Sequence, residues 1–336
     1  MRRVPSMSNR TIGQSAQRTF GIVERSEHAY LCRVPDRPLV HARRSQVLTA
    51  FAAVYIIWGS TYLAIRFAIE TLPPFLMVGS RFFVAGLAMY VWLRARGAAA
   101  PKAEHWKSAA IVGILMPVLG TGVVVWAEEK VPSGIAALLV SIVPLWIVLL
   151  QWWRPGGKRP NVWVFGGVAL GLAGLYLLVD PGSDRSQGNL LVEGILLVAA
   201  LSWAIGSLYS KRAPRAENEF IGTGMEMIVA GVVLIAAGLA TGEASRFSLG
   251  AASTKSWLSV LYLVTFGSIV AYTAYVWLLS AVSATLVSTY AFVNPVVAVF
   301  LGWAFAGEPL NLRMIIAAAI IVGAVALITI GGRDDT

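Results

Sequence analysis

The 336-residue chain has one cysteine, Cys32, and three histidines, His28, His41 and His105. A single thiol excludes an intrachain disulfide and leaves no thiolate cluster for a metal. All three histidines fall outside the long apolar runs, which excludes a histidine relay inside them. Charge is scarce as well: Asp, Glu, Lys and Arg make up 13% of residues, against roughly a quarter in soluble domains. No Gly-x4-Gly-Lys-Ser/Thr loop occurs, so nothing marks ATP hydrolysis. What is there is apolar. Hydrophobic residues reach 57% and the mean hydropathy is +0.71, with repeated runs of the roughly 20 residues needed to cross a bilayer. The net charge of +10 lies in a tail and in loops, so it does not point to nucleic acid. The lipid bilayer is the expected surrounding, and no cofactor or metal is implied.

A duplication organises the apolar part. At a fixed offset of 151 residues, Val125, Trp126, Val131, Pro144 and Val148 recur as Val276, Trp277, Val282, Pro295 and Val299. Nearer the start of each half the offset is 145, placing Trp58 on Trp203 and Arg81 on Glu226. A six-residue insertion in the later half accounts for the difference. A tryptophan, a turn and a mid-run proline at one spacing read as an internal repeat.

Residues 1–45 form a basic segment whose arginines are followed by no apolar run, so a cleavable signal is a poor reading. A disordered cytoplasmic tail is expected there, or an overlong start with Met7 as a rival. Ten apolar spans follow, at about 47–68, 74–93, 108–126, 133–152, 161–179, 189–209, 220–240, 257–279, 284–304 and 312–331. Runs this long and without alternation are helices. Loops on the tail side carry thirteen Lys and Arg; the opposite loops carry five: Lys130, Arg185, Arg246, Lys255 and Arg313. Both termini are therefore expected in the cytoplasm. The expected fold is an all-α polytopic membrane protein of ten transmembrane helices, with one half at 46–180 and the other at 187–331. Five spans per half force the second copy to enter the membrane upside down. Two inverted five-helix repeats follow, with a substrate site at their interface near mid-membrane.

Several motifs carry a family resemblance. Tyr55-Ile-Ile-Trp58-Gly-Ser-Thr-Tyr62, Pro73-Pro74 with Arg81-Phe82, Val131-Pro-Ser-Gly-Ile-Ala-Ala137 and Ser288-Thr-Tyr-Ala-Phe-Val-Asn-Pro295-Val-Val-Ala-Val299 stand in that order. From about residue 46 to its end, the chain resembles EamA-type drug/metabolite transporters, most nearly the YedA-like subgroup. The resemblance implies two EamA repeats, a bacterial inner-membrane location and export of small metabolites or drugs. It supplies no single substrate.

Candidate site residues come from polar, aromatic and charged side chains inside the spans. Pro144 and Pro295 each remove a backbone donor and free the carbonyl four residues earlier, at Val140 and Ala291. The reading is a kink with a hydrated patch, or a static kink satisfied by packing. On the ninth span Ser283, Val287, Tyr290 and Asn294 share a face at helical spacing. Asn294 needs a partner, either a substrate or a neighbouring helix. The first span offers Trp58, Ser60 and Tyr62, the third Trp126, the sixth Trp203 and Ser207, and the eighth Tyr272 and Tyr275. These could line an aromatic cavity or simply pack. Arg66, Arg81 and Glu226 are charges in spans or at their ends. Arg66 can snorkel, and Glu226 is either a proton-coupling group or a protonated helix fastener. Glu128, Glu129 and Lys130 read as a solvated loop, and Gly167-x-x-x-Gly171 as close helix packing that would also suit a homodimer.

These features describe a secondary transporter that exports small organic solutes (amino acids, metabolites or drugs) by alternating access. The alternatives are an integral-membrane enzyme acting on a lipid-soluble substrate, or a non-transporting receptor or scaffold. The enzyme needs paired carboxylates or a histidine within the spans, and neither is there.

Overall fold

The computed structural model describes residues 42–131, 133–155, 157, 159–179, 190–216, 218–248, 250–306 and 311–331. The basic tail expected over 1–45 lies almost wholly outside the described residues, and helix begins at Arg44. The elements are α1 (Arg44–Ile69), α2 (Pro74–Ala95), α3 (Ala103–Ala127), α4 (Ser133–Val140 and Val143–Trp153), α5 (Val162–Val179) and α6 (Leu190–Ser210). They continue as α7 (Glu219–Ala240), α8 (Thr254–Ala281), α9 (Ala284–Val287 and Tyr290–Ala306) and α10 (Leu312–Gly331). No strand occurs among the described residues.

Among the described residues eight helices are long and apolar enough to cross a membrane, and Leu138–Trp153 and Val162–Leu178 are shorter apolar helices. Their outer faces stay apolar. Leu190, Val162 and Leu312 expose 84%, 76% and 71% of their surface, an arrangement that suits lipid and would be a liability in water.

Packing follows small residues. α2 lies against α7, where a Cβ on Gly86 would come within 2.6 Å of the Gly224 carbonyl and one on Gly231 within 2.5 Å of the Phe83 nitrogen. α5 lies against α10, with Gly167 facing Ala324 and Ile328. Gly171 faces Phe292, so the Gly167-x-x-x-Gly171 seam is occupied within the chain. α1 packs on α8 and α9, while α6 packs on α3 and α4. Adding five to each helix number converts one set of contacts into the other.

Helix ends are fixed locally or borrowed. Asn218 accepts from the amides of Phe220 and Ile221 at the start of α7, and Ser253 accepts from Ser256 at the start of α8. α2 opens on Pro74 without a cap of its own. The buried Glu243 supplies one, accepting from the amides of Phe75 at 3.2 Å and Leu76 at 2.9 Å, where a carboxylate also meets the positive end of the helix dipole.

Three departures from regular helix differ from the sequence expectation. The two prolines do not make equivalent kinks. Pro144 sits in the first turn of the second α4 segment, after a break at 141–142, a position that tolerates a missing amide hydrogen. Pro295 lies inside the longer α9 segment, six residues beyond a break at 288–289. That second break also ends the helical face proposed from Ser283 through Asn294; Ser283 instead caps the short first segment, accepting from Leu286. Finally, α3 and α8 each contain a π-helical stretch, Ile114–Gly122 and Leu263–Tyr272. Shifted by 151, the first overlaps the second.

The carbonyl that Pro295 frees has a partner. Ser141, at the α4 break, donates its hydroxyl to the Ala291 carbonyl at 2.7 Å. Ser141→Ala should therefore lower unfolding stability in micelles by about 1–3 kcal/mol, the cost of orphaning a buried acceptor. In a Pro295→Ala background the restored amide can serve Ala291, and the same serine substitution should cost well under half as much. Equal costs in both backgrounds, by thermal unfolding, would refute this account.

Candidate functional site

A central cavity with a volume of about 100 Å3 lies among α1, α2, α3, α4, α6, α8 and α9. That is the order of the ~150 Å3 space known to take a benzene-sized guest. Trp58, Tyr62, Arg81, Trp203, Tyr272, Tyr290 and Asn294 all line it. Thr61, Phe82, Gly120, Thr121, Glu128 and Gly267 line it too and were not expected.

Its floor is an aromatic cluster. Trp58 meets Trp203 at 5.7 Å between ring centroids, Tyr275 at 5.1 Å and Tyr290 at 5.0 Å, mostly edge to face. Tyr275 is fully buried behind this wall and does not line the cavity. Its hydroxyl takes a bond from Trp203 Nε1 at 2.9 Å and shares one with Ser207 at 2.8 Å. Trp58 Nε1 donates to the Gly267 carbonyl at 3.1 Å. Both indole donors are thus committed within the protein, so the tryptophans offer a guest their ring surface and not their N–H groups.

Two glycines make this closeness feasible. A Cβ on Gly120 would lie 2.5 Å from Trp203 Cε3, so the π-helical stretch of α3 needs glycine where the indole presses on it. Its counterpart contact joins Trp58 to Gly267 in the π-helical stretch of α8. Trp58 and Trp203 are equivalent in the repeat, and each engages a π-helical stretch of the other half.

Other expected site residues are placed elsewhere. Ser60 bonds the Tyr262 hydroxyl at 2.6 Å and the Ile57 carbonyl at 2.7 Å, away from the cavity. Ser207 sits behind Tyr275. Trp126 turns the other way, packing with Ala127, Val131 and Val192, with Lys130 Nζ 5.3 Å over its ring. Arg66 is exposed, and its neighbour Glu70 pairs with Lys255 at 2.7 Å. Asn294 lines the cavity, but its amide nitrogen, oriented by the surrounding donors and acceptors, donates to the carbonyls of Tyr290 at 3.1 Å and Tyr55 at 3.3 Å. That nitrogen ties α9 to α1.

The buried charges divide. Glu226 accepts from the Tyr272 hydroxyl at 2.9 Å and lines a separate small cavity with His105 and Arg215, not the central one. No ion pair joins Glu226 to Arg81. Arg81 is 4% exposed; its Nε donates to Ser268 at 2.8 Å, its guanidinium lies 4.8 Å from the Phe82 ring centre, and its Nη1 has no partner.

The solvated-loop reading of 128–130 fits Glu129 and Lys130, which are exposed, and needs correction at Glu128. Glu129 turns to Arg246 at 3.8 Å, and Lys130 turns to Trp126. Glu128, one residue past α3, is among the residues lining the cavity, and its Oε1 is buried and without a partner. A carboxylate just past a helix end ordinarily reads as solvated. Nothing in its neighbours' types shows that the chain turns it inward.

A family model described as the EamA-like transporter family matches residues 45–180 and again 190–330. The chain is 41% identical over 283 residues to the uncharacterized inner membrane transporter YedA of Escherichia coli (strain K12), covering 84% of this chain and 90% of that protein. The uncharacterized transporter YoaV of Bacillus subtilis (strain 168) is 25% identical, with 82% and 94% covered. A solved crystal structure aligns with a TM-score of 0.69 at 21% identity, covering 87% of this chain and 100% of the other, which is a likeness of fold.

Burial pushes the Glu128 carboxyl from 4.5 up to about 8. The unfolded chain ionises near the lower value and the folded chain near the higher, so stability falls as pH rises between them. Glu128→Gln removes that dependence. Its melting temperature should match wild type near pH 4.5, exceed it increasingly up to about pH 8, and keep a constant lead above. A lead that does not grow with pH would sink the assignment.

Proposed function

The chain belongs to the EamA-like transporter family, and from that premise we propose that it is a secondary transporter exporting small organic solutes by alternating access. Its relatives are named as transporters, and the chain is a multi-pass inner-membrane protein. The enzyme alternative is set aside on that ground.

One observation carries the reading: the central cavity is built from both halves of the chain and sits where they meet. The proposed architecture is ten transmembrane helices in two inverted repeats, 46–180 and 187–331, with both termini cytoplasmic. The exchange of contacts under a five-helix shift supports it, as does the reciprocal packing of Trp58 on α8 and Trp203 on α3. With that orientation, Glu128, Thr121 and Tyr62 lie toward the outer side, and the cavity is the outward-facing site. The breaks in α4 and α9 and the π-helical stretches of α3 and α8 are the places where the bundles flex, since irregular turns bend more readily than regular helix. Glu226, bonded to Tyr272 and outside the central cavity, fastens α7 to α8. Energy comes from an ion gradient or from the solute's own gradient.

In cells stripped of endogenous exporters and loaded with labelled amino acids and drugs, wild type should lower retention of at least one solute. Thr121→Trp, which fills the cavity, should return retention to that of the empty vector at equal membrane level. Unchanged retention of every solute by wild type would overturn export.

A further inference from the structure

Resting on the reading of two inverted repeats with the central cavity open to the outer side, we propose that Lys211 and Arg66 are reciprocal latches. Lys211 closes the cytoplasmic end of the bundle in this state. Arg66 closes the outer end in the opposite state, by donating to the Val131 carbonyl.

The closed end shows the latch made. Lys211, one residue past α6, donates its Nζ to the Val282 carbonyl at 2.7 Å and so ties α6 to the turn between α8 and α9. Val282 is the C-cap of α8, where a cation also meets the negative end of the helix dipole. One turn earlier on α6, Ser207 shares a bond with the Tyr275 hydroxyl of α8 at 2.8 Å, and both residues are fully buried. Two cross-links therefore hold α6 against α8 at this end.

The repeat identifies the other latch. Moving back 145 residues gives Tyr62 for Ser207 and Arg66 for Lys211; moving back 151 gives Val124 for Tyr275 and Val131 for Val282. The two turns keep the same backbone bond, from Val131 to the Ala127 carbonyl at 3.0 Å and from Val282 to the Leu278 carbonyl at 2.9 Å. Their surroundings differ. Tyr62 and Val124 line the central cavity instead of meeting across a sealed contact. Arg66 is exposed and has no hydrogen-bond or ion-pair partner among the described residues. A bond made at one end and unmade at its mate is what alternating access asks of an inverted repeat.

A second pair exchanges in the same sense. Glu70, at the outer end of α1, pairs with Lys255 near the start of α8 at 2.7 Å. Their mates, by the same two offsets, are Arg215 and Glu104, which are complementary with the signs reversed. These two do not pair with each other here: Arg215 engages Glu219 at 3.4 Å, and Glu104 faces His105 at 3.6 Å. The outer end of α1 thus leans on α8 and leaves the α3–α4 turn. In the opposite state the inner end of α6 leans on α3 and leaves the α8–α9 turn.

The test uses the full-length protein in membrane vesicles, with Cys32→Ser removing the native thiol and Thr121→Cys placing one in the central cavity. Initial rates of labelling by a membrane-impermeant thiol reagent are read in right-side-out and inside-out vesicles. Lys211→Ala should lower the ratio of outside to inside rates about tenfold, the weight of one hydrogen bond from a charged donor. Arg66→Ala should raise the ratio by a similar factor, and the two substitutions together should restore it. Lys211→Arg keeps a cationic donor and should hold the wild-type ratio, which separates the latch from packing of the side-chain stem.

The proposal is overturned if both alanine variants move the ratio in the same direction. It is also overturned if either leaves the ratio unchanged, as an Arg66 that only reaches lipid headgroups would do. Both results would leave the outward-facing cavity standing. Labelling of the wild type from the cytoplasmic side alone, or from neither side, would overturn the outward-facing reading and the latches with it.

Discussion

Water is absent from the middle of a bilayer, so every backbone group left over by an irregular turn must find a protein partner. This chain is irregular in four of its helices and meets that demand by lending side chains between helices. Ser141 at the α4 break serves the Ala291 carbonyl that Pro295 frees on α9. Ser202 on α6 donates to the Leu115 carbonyl in the π-helical stretch of α3 at 2.8 Å. Trp58 on α1 donates to the Gly267 carbonyl in the π-helical stretch of α8. Tyr55 on α1 shares a bond with Thr289 at the α9 break, at 2.6 Å. Each of these bonds crosses between the two halves. Irregularity and interface are therefore one feature: neither half could hold its broken helices alone.

Among the described residues, Arg81 Nη1, Glu128 Oε1 and Trp146 Nε1 are buried polar atoms without a partner. Aromatic packing explains the rest of the cavity. Five ring contacts among Trp58, Trp203, Tyr275 and Tyr290 hold its floor rigid, and a rigid floor spends no ordering entropy when a guest arrives. Beside Glu128, the loop side chains of Glu129 and Lys130 each have a partner elsewhere.

Much of the helical architecture was legible because lipid imposes length and hydropathy, and both are written residue by residue. The depth of Trp58 and Trp203 marked them for the interior, and their shared position in the repeat brought them together. Other features were not legible for identifiable reasons. An apolar run looks the same whether it winds as α or π, so the irregular stretches of α3 and α8 were missed; Gly120 and Pro117 were the only hints. Helical spacing from Ser283 to Asn294 assumed an unbroken helix, and the break at 288–289 voided it. Trp126 shares its repeat position with Trp277, but a single face assignment cannot distinguish the central cavity from the satellite cluster that holds it. Ser60 lies two residues from Trp58, and one such step on a helix rotates a side chain about 200°. For Glu128 the difficulty was tertiary: inward rotation depends on where its neighbours find partners.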